Sequence, residues 1–329
     1  MEEKIGRTIV VLGTGGTLAG AAVQAHDNVG YVAAQIGIAQ ILAQLPGLRQ
    51  VLGDHALQAE QVAQCDSKDM DFEVWRVLLA RLLHHLEQPN VAGVLITHGT
   101  DTLEETAYFL HAVVPASLQA RKPVVLTCAM RPASALSPDG PQNLRDALAV
   151  ATTPGACGVT VVCAGVVHAA RDVAKRHTYR LDAFDSGDAG AVGWVEEGRV
   201  RLVKNWPLAQ AGQAQNAIEK IAIGEPWPRV ELVFNHVGGS AGVVHALLQP
   251  CPALARLRGL VVAGTGNATL HRELEAALRC AQAQGVAVRL TSRCPDGVVL
   301  DVPGRAFAVA HGLSPVKARV ALMLELLAA

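Results

Sequence analysis

The chain has 329 residues, a formal net charge of −1 at pH 7 and a hydrophobic fraction of 50%. This length can bury a large core and exceeds what one core usually holds, so we expect two domains. The near-zero charge, without runs of Lys or Arg, argues against a nucleic-acid partner, and no apolar stretch reaches the ~20 residues needed to cross a bilayer. Because the first residues lack a basic and apolar leader, we expect a soluble protein in the cytoplasm.

Apolar, β-branched runs alternate along the chain with segments of helical period. Continuous apolar runs are typical of strands that are buried on both faces of a parallel sheet. The predicted strands are residues 8–12, 91–97, 123–127, 159–167, 230–234, 260–263 and 286–290. The predicted helices include residues 102–113, 272–283 and 314–327. This alternation predicts an α/β fold with mainly parallel sheets flanked by helices.

The first motif is a glycine-rich loop at residues 13–20, GTGGTLAG, directly after the first predicted strand. A dinucleotide-binding loop starting at Gly13 would need glycine at position 18, where Leu18 stands. That interpretation therefore fails on spacing. A glycine-rich loop that brings a hydroxyl group to a substrate fits the sequence better.

The second motif follows the predicted strand 91–97. Thr102 and Glu105 form a Thr-x-x-Glu capping box that predicts the start of a helix. Thr100 and Asp101 then lie between the end of a strand and the start of a helix, where open α/β sheets bind ligands. Because Thr102 already fills the capping role, Thr100 and Asp101 are candidates for a functional site.

The pattern of strands and helices breaks around residues 201–229, which include a Gln/Ala stretch and a Pro-Trp-Pro sequence. We interpret this break as a linker between a larger N-terminal catalytic domain and a smaller C-terminal α/β domain. The predicted bounds are residues 1–202, 203–228 and 229–329.

The seven cysteines are odd in number and form no Cys-x-x-Cys pair. We expect reduced, buried thiols that pack as small hydrophobic groups, without a disulfide framework. The histidines have no cysteine or acid partners at metal-ligand spacing. We therefore expect neither a metal nor any other cofactor.

Together the two motifs resemble the signatures of the bacterial L-asparaginase family, at residues 14–20 and 97–106. The resemblance implies an amidohydrolase that acts on a small-molecule amide, L-asparagine, and releases L-aspartate and ammonia. It also implies a homotetramer built from intimate dimers. Further similarity occurs at residues 129–132, 137–144, 158–167, 171–175 and 314–320, so it spans nearly the whole chain.

The resemblance also assigns roles to single residues. Thr17 would be the nucleophile, with Tyr31 as its partner on a lid loop. A second catalytic group would consist of Thr100, Asp101 and Lys175. Ser67 would bind the substrate α-carboxylate, and Asp101 would also pair with the α-ammonium.

The chemistry of amide cleavage agrees with these roles. A threonine hydroxyl is a weak nucleophile and needs a base to take its proton. A lysine such as Lys175 can be that base when its surroundings lower its pKa, although Asp101 would act in the opposite direction. Backbone N–H groups at the Thr100 turn, beside a helix N-terminus, can hold the oxyanion of an acyl-enzyme reaction.

Three departures from the family leave recognition of the substrate amine open. Lys68 follows Ser67 where family members commonly carry Gln or Ser, and we expect it at the substrate-binding site. Thr269 replaces an asparagine, and the loop after Gly297 lacks a counterpart of the ammonium-binding glutamate of periplasmic relatives. The alternatives are an amide other than L-asparagine (L-Gln, D-Asn or an N-substituted Asn) or a non-catalytic ligand-binding relative.

Two further hypotheses come from different protein classes. Residues 238–242 fit the Gly-x-Ser-x-Gly pattern of a serine hydrolase around Ser240, with Asp301 and His311 following in the required order. The second is an ammonia-supplying subunit of a tRNA amidotransferase, which would need a further domain and a protein partner.

Overall fold

The predicted apolar runs form the central strands of two sheets in a computed structural model. The structure describes residues 7–22, 24, 26–209 and 215–329. These residues divide into two compact units, with the boundary between residues 212 and 213. Both units have the α/β architecture that the sequence predicts, since each contains parallel strands and packed helices.

The first unit is built on an eight-stranded sheet in the order β10-β9-β6-β5-β4-β3-β1-β2. The five strands from β2 to β5 run parallel to one another, and the remaining pairs are antiparallel. The strands are β1 (Thr8–Gly15), β2 (Ala56–Cys65), β3 (Val91–Thr97), β4 (Val124–Thr127), β5 (Val159–Cys163), β6 (Val166–Ala169), β9 (Gly193–Glu196) and β10 (Arg199–Leu202). A separate antiparallel pair consists of β7 (Ala174–Lys175) and β8 (Phe184–Asp185).

Helices flank this sheet and bury its central strands. Every residue of β3, β4 and β5 is buried, as the continuous apolar runs predict. The helices are α1 (Ile38–Ala43), α2 (Leu48–Leu52), α3 (Phe72–Glu87), α4 (Leu103–Val113), α5 (Ala116–Gln119) and α6 (Gly140–Thr152).

Several strands of this unit differ from the prediction, and β7, β8, β9 and β10 are absent from it. The single strand predicted for residues 159–167 is a hairpin, because Ala164 and Gly165 both have positive φ angles, 50° and 76°, and turn the chain back. Strand β2 is absent from the prediction. It lies at the sheet edge with no fully buried residue, so its sequence carries too little apolar signal.

The second unit contains a four-stranded, all-parallel sheet in the order β11-β12-β13-β14. Its core includes Leu260, Val262 and Leu278, which are all fully buried. The strands are β11 (Arg229–Phe234), β12 (Leu257–Gly264), β13 (Ala287–Ser292) and β14 (Ala308–Val309). The helices are α7 (Gln215–Ala222), α8 (Gly242–Leu248), α9 (Arg272–Ala283) and α10 (Pro315–Ala328).

The region predicted as a linker, residues 203–228, includes helix α7. This helix contacts α10 and buries Ala217 and Ile221. Part of the predicted linker therefore belongs to the second unit. Residues 210–214 of the predicted linker lie outside the described residues, and the domain bounds given above stay a prediction.

All seven cysteines are free thiols. Cys128 and Cys163 are buried as expected, and their Sγ atoms lie 3.6 Å apart. Cys251, Cys280 and Cys294 are exposed, so the expectation of buried thiols is wrong for these three, which lie in loops or on the outer face of a helix. None of the described helices is both long enough and apolar enough to span a membrane.

Candidate active site

The candidate site lies where three neighbouring parallel strands of the first unit end. Strand β1 pairs with β2 on one side and with β3 on the other, so the chain leaves β1 at a point where the strand order reverses. Open α/β sheets bind their ligands in the crevice at such a point. The turns that follow the three strands carry Thr17, Ser67 and Thr100.

Two glycines let these turns approach each other closely. Gly16 has a φ angle of +78°, and a Cβ there would lie 2.4 Å from the Cα and N atoms of Gly99. A Cβ on Gly99 would in turn lie 2.4 Å from Ser67 Oγ. Any side chain at either position would therefore push the three turns apart.

Thr17 and Tyr31 form the first pair of candidate site side chains. Their hydroxyl oxygens lie 2.6 Å apart, and Thr17 is buried. Backbone hydrogen bonds of 3.0 Å in both directions between Ala21 and Val32 close the loop that carries Tyr31. The other hydroxyl of the glycine-rich loop, Thr14, donates to the Thr97 carbonyl at 2.9 Å and is used in packing. Thr17 is thus the hydroxyl of this loop that pairs with the Tyr31 phenol.

Burial raises the pKa of Tyr31, and the charges of Asp66 and Asp101 act in the same direction. The hydrogen bond between Tyr31 and Thr17 and the charge of Lys68 act against this shift. Tyr31 therefore keeps its proton near neutral pH. The raised pKa therefore argues against a permanent phenolate at this position.

Lys175, Thr100 and Asp101 form the second group. Lys175 lies on strand β7, and its Nζ atom lies 2.8 Å from Thr100 Oγ1 and 2.6 Å from Asp101 Oδ1. Its side chain is 19% exposed. As an ammonium group, Lys175 donates both hydrogen bonds, so it must lose a proton before it can accept one from a hydroxyl.

Ser67 links the second group to the turn after β2. It is 2% exposed, and its Oγ atom accepts the Asp101 N–H at 3.1 Å. Its carbonyl accepts the hydroxyl of Thr102 at 2.7 Å. The capping-box prediction is therefore half right: α4 starts directly after Thr102, but this hydroxyl bonds to Ser67 instead of capping the helix.

The family model described as Asparaginase, N-terminal matches residues 8–208, and the Glutaminase/Asparaginase C-terminal domain model matches residues 229–328. The chain belongs to the asparaginase family. This confirms the resemblance and the predicted enzyme class, an amidohydrolase.

Individual relatives within the asparaginase family cover nearly the whole chain. The chain is 35% identical to the glutaminase-asparaginase of Pseudomonas fluorescens biotype A, over 97% of this chain and 86% of the relative. It is 32% identical to L-asparaginase 2 of Bacillus subtilis (strain 168), over 99% and 84%. A solved structure, the probable cytoplasmic L-asparaginase from Campylobacter jejuni, is 33% identical with a TM-score of 0.86 and covers 97% of this chain and 95% of its own.

Lys68 lies beside the asparaginase site but in an exposed ion-pair cluster. Its Nζ atom lies 2.7 Å from Asp66 and 3.1 Å from Asp69, and its side chain is 61% exposed. The hydrogen bonds to these two carboxylates raise the pKa of Lys68. The Lys68 ammonium therefore pairs with carboxylates of its own turn. It is not the partner of the Thr17 hydroxyl, which bonds to Tyr31, or of the Thr100 hydroxyl, which bonds to Lys175.

The structure does not support the serine-hydrolase hypothesis in the second unit. Asp301 and His311 approach to 3.5 Å, but their side chains are 83% and 51% exposed. Ser240 Oγ accepts the N–H of Gly242 at 3.3 Å in its own turn. Ser240 also lacks the left-handed, strained backbone of a nucleophile elbow.

Sequence reasoning missed His98, which follows β3 inside the second motif. It is fully buried, and burial lowers its pKa to about 4. Its ring contacts Gly99 and Thr106 by hydrogen bonds. The signal was its position between a buried strand and the Thr100 turn, where an ordinary surface histidine would not be expected.

Proposed function

We propose that the chain is an L-asparaginase that hydrolyses L-asparagine to L-aspartate and ammonia through an acyl-enzyme on Thr17. The observation that carries this proposal is the convergence of the Thr17–Tyr31 pair and the Lys175–Thr100 pair on adjacent strand ends, with Gly16 packed against Gly99. Family membership and relatives with asparaginase names support it.

In the first step, Thr17 Oγ1 attacks the side-chain amide carbon of the substrate. The Thr17 proton passes to Tyr31, while the phenol proton moves on toward the leaving amine. The carbonyl oxygen becomes negatively charged, and the Thr100 N–H donates a hydrogen bond to it. Such a donor typically contributes about 3–4 kcal/mol to lowering the barrier.

The C–N bond then breaks, and the amine leaves as ammonia with the transferred proton. The product of this step is an ester between Thr17 and the aspartyl group. Lys175 and Thr100 orient the water that attacks the ester, and hydrolysis restores the Thr17 hydroxyl. Each half-reaction is a nucleophilic acyl transfer that uses the same oxyanion donor.

The substrate carries an α-carboxylate and an α-ammonium group, so the site needs binding groups for both charges. Ser67 binds the α-carboxylate through its hydroxyl proton, and Lys68 turns from Asp66 toward the same carboxylate. Asp101 binds the α-ammonium and shares its charge with Lys175. The relative from Pseudomonas fluorescens is a glutaminase-asparaginase, so L-glutamine is the second candidate substrate.

Measuring ammonia release from L-Asn, L-Gln, D-Asn and an N-substituted Asn tests which amide is the substrate. Thr17→Val removes the hydroxyl but keeps the shape of the side chain, and we expect it to lower kcat about a thousandfold or more. Thr17→Ser keeps a hydroxyl and should retain measurable activity. A quenched reaction should also contain an aspartyl ester on the peptide that carries Thr17, detected by mass spectrometry.

Wild-type-like ammonia release by Thr17→Val would contradict the proposed nucleophile. Binding of L-Asn without ammonia release from any of the four amides would favour the ligand-binding alternative.

We further propose that the protein assembles as a homotetramer of intimate dimers and works in the cytoplasm. Large apolar side chains exposed on the second unit support an assembly surface, among them Phe234, Val237 and Leu300. The similarity to the probable cytoplasmic enzyme from Campylobacter jejuni and the seven free thiols support the location.

A further inference from the structure

A chain of three buried hydrogen bonds leads from helix α3 to the turn that carries Thr100. Trp75 Nε1 lies 2.9 Å from Thr106 Oγ1, and Thr106 Oγ1 lies 2.9 Å from His98 Nε2. His98 Nδ1 lies 2.7 Å from the carbonyl oxygen of Gly99. The exposed fractions of Trp75, His98 and Thr106 are 4%, 0% and 0%. None of these groups exchanges its partner for water without local opening.

The chemistry of the groups fixes the donor and the acceptor in each of these three hydrogen bonds. An indole N–H can only donate, so the Thr106 oxygen accepts from Trp75. The Thr106 proton is then available to His98 Nε2, which accepts it as a neutral imidazole. The Gly99 carbonyl can only accept, so His98 Nδ1 must carry the ring proton. Burial lowers the pKa of His98 to about 4, which agrees with a neutral ring near pH 7.

The last acceptor belongs to the peptide group between Gly99 and Thr100. In a trans peptide the C=O and N–H lie in one plane and point in opposite directions, so the bond to His98 also sets the direction of the Thr100 N–H. No acceptor for this N–H lies among the residues that the structure describes. The next N–H, that of Asp101, is already bound to Ser67 Oγ.

Gly99 explains why this peptide needs an outside constraint. A Cβ at this position would lie 2.4 Å from Ser67 Oγ, so close packing requires glycine. Glycine is the residue with the greatest backbone freedom, and the following peptide plane can rotate more easily than after any other residue. The hydrogen bond from His98 limits this rotation without adding a side chain to the turn.

We propose that His98 is a positioning residue, which holds the Gly99–Thr100 peptide so that the Thr100 N–H points at the oxyanion, while Thr106 and Trp75 hold its ring. This inference rests on the proposed acyl-enzyme function. His98 itself neither donates a proton to the substrate nor accepts one from it.

Two amide variants separate the two ring nitrogens. In His98→Asn the side-chain N–H₂ takes the place of Nδ1 and can still donate to the Gly99 carbonyl. In His98→Gln the amide extends toward Thr106, in the place of Nε2, and leaves the Gly99 carbonyl without its donor. We expect His98→Gln to lower kcat about tenfold or more with little change in KM, because one oxyanion donor is misdirected. His98→Asn should stay within about threefold of wild-type kcat.

A matched control is His85, which is equally buried at 3% exposure and bonds to Glu60 at 2.8 Å away from the Thr100 turn. His85→Gln should change thermal stability without changing kcat. If His98→Gln does not fold, His98→Leu replaces it, because it also leaves the Gly99 carbonyl without its donor. Equal losses of kcat in His98→Asn and His98→Gln, or wild-type kcat in His98→Gln, would overturn the inference. Wild-type protein that releases no ammonia from any amide would instead overturn the proposed function.

Discussion

The candidate site side chains are held by partners that are distant in the sequence. Ser67 is fixed by Asp101 and Thr102, and Thr17 is paired with Tyr31 on a loop closed by Ala21 and Val32. A buried polar group that loses its partner costs about 1–3 kcal/mol. Each functional residue therefore depends on the supporting hydrogen bonds as well as on its own chemistry.

The neutral state of His98 predicts a specific acid sensitivity. The pKa of His98 is lowered from 6.5 to about 4 by burial, so the unfolded chain takes up a proton at a higher pH than the folded chain. The stability that the neutral His98 contributes is fully present above pH 6.5 and is lost as the pH falls toward 4. At pH 4.5 this one group should remove about 2 kcal/mol or more of the free energy of unfolding.

His98→Asn has no such titration, so its Tm should fall less than the wild-type Tm between pH 7 and pH 4.5. Differential scanning calorimetry of both proteins at the two pH values measures this difference. An identical fall in the two proteins would show that His98 is protonated in the folded state or accessible to water.

At the scale of elements, the site depends on three parallel strands that end side by side. Strand β1 lies between β2 and β3, and the turns after these strands touch through Gly16 and Gly99. Loop residues placed by rigid strands can keep the sub-ångström precision that catalysis needs. We therefore expect the contact between turns to affect activity.

Gly16→Ala and Gly155→Ala form a matched pair that tests this contact. Both glycines have a φ angle of +78°, but a Cβ at Gly155 would meet nothing within 4 Å, whereas at Gly16 it would meet the Gly99 backbone at 2.4 Å. Both variants should lose stability because their φ is positive. Gly16→Ala should lose more, since Gly16 has a ψ of −169° and lies in a backbone region that essentially only glycine adopts. Gly16→Ala alone should also lower kcat/KM about a hundredfold or more, since a shift near 1 Å has that effect.

Ammonia-release kinetics and Tm measured on the two variants decide this prediction. Equal activity in Gly16→Ala and Gly155→Ala would mean that the turns tolerate separation and that the contact is only structural.

At the scale of the whole molecule, the two units each carry a parallel sheet, and the family models match both of them. The first unit contains the Thr17, Ser67, Thr100 and Lys175 side chains described above. The second unit exposes large apolar side chains, including Val237, whose relative exposure is 101%. Such surfaces are typical of association sites.

The proposed homotetramer predicts a molar mass in solution of about four times 34.5 kDa. Size-exclusion chromatography with light scattering measures this mass directly. Val237→Asp on the second unit should shift the mass toward dimers or monomers if this surface is buried on assembly, whereas Leu136→Asp, which is 82% exposed on the first unit, is the matched control. A monomeric wild-type protein would contradict the proposal.

The sequence alone determined the fold class, the central strands and the position of the two motifs. Strand β3 and helix α9 have the predicted bounds, because continuous apolar runs and helical periodicity are local signals. The glycine-rich loop and the Thr100 turn could also be found, since both follow a buried strand directly. Family signatures in the same two places identified the enzyme class.

Only the tertiary structure decided which partners these residues have. Thr102 bonds to Ser67 across 35 residues of sequence, and Lys175 reaches Thr100 across 75 residues. The edge strand β2 and the hairpin at Ala164 depend on neighbours in the sheet rather than on their own composition. Local periodicity does not predict such long-range pairs, because they form only when the strands have assembled in one order.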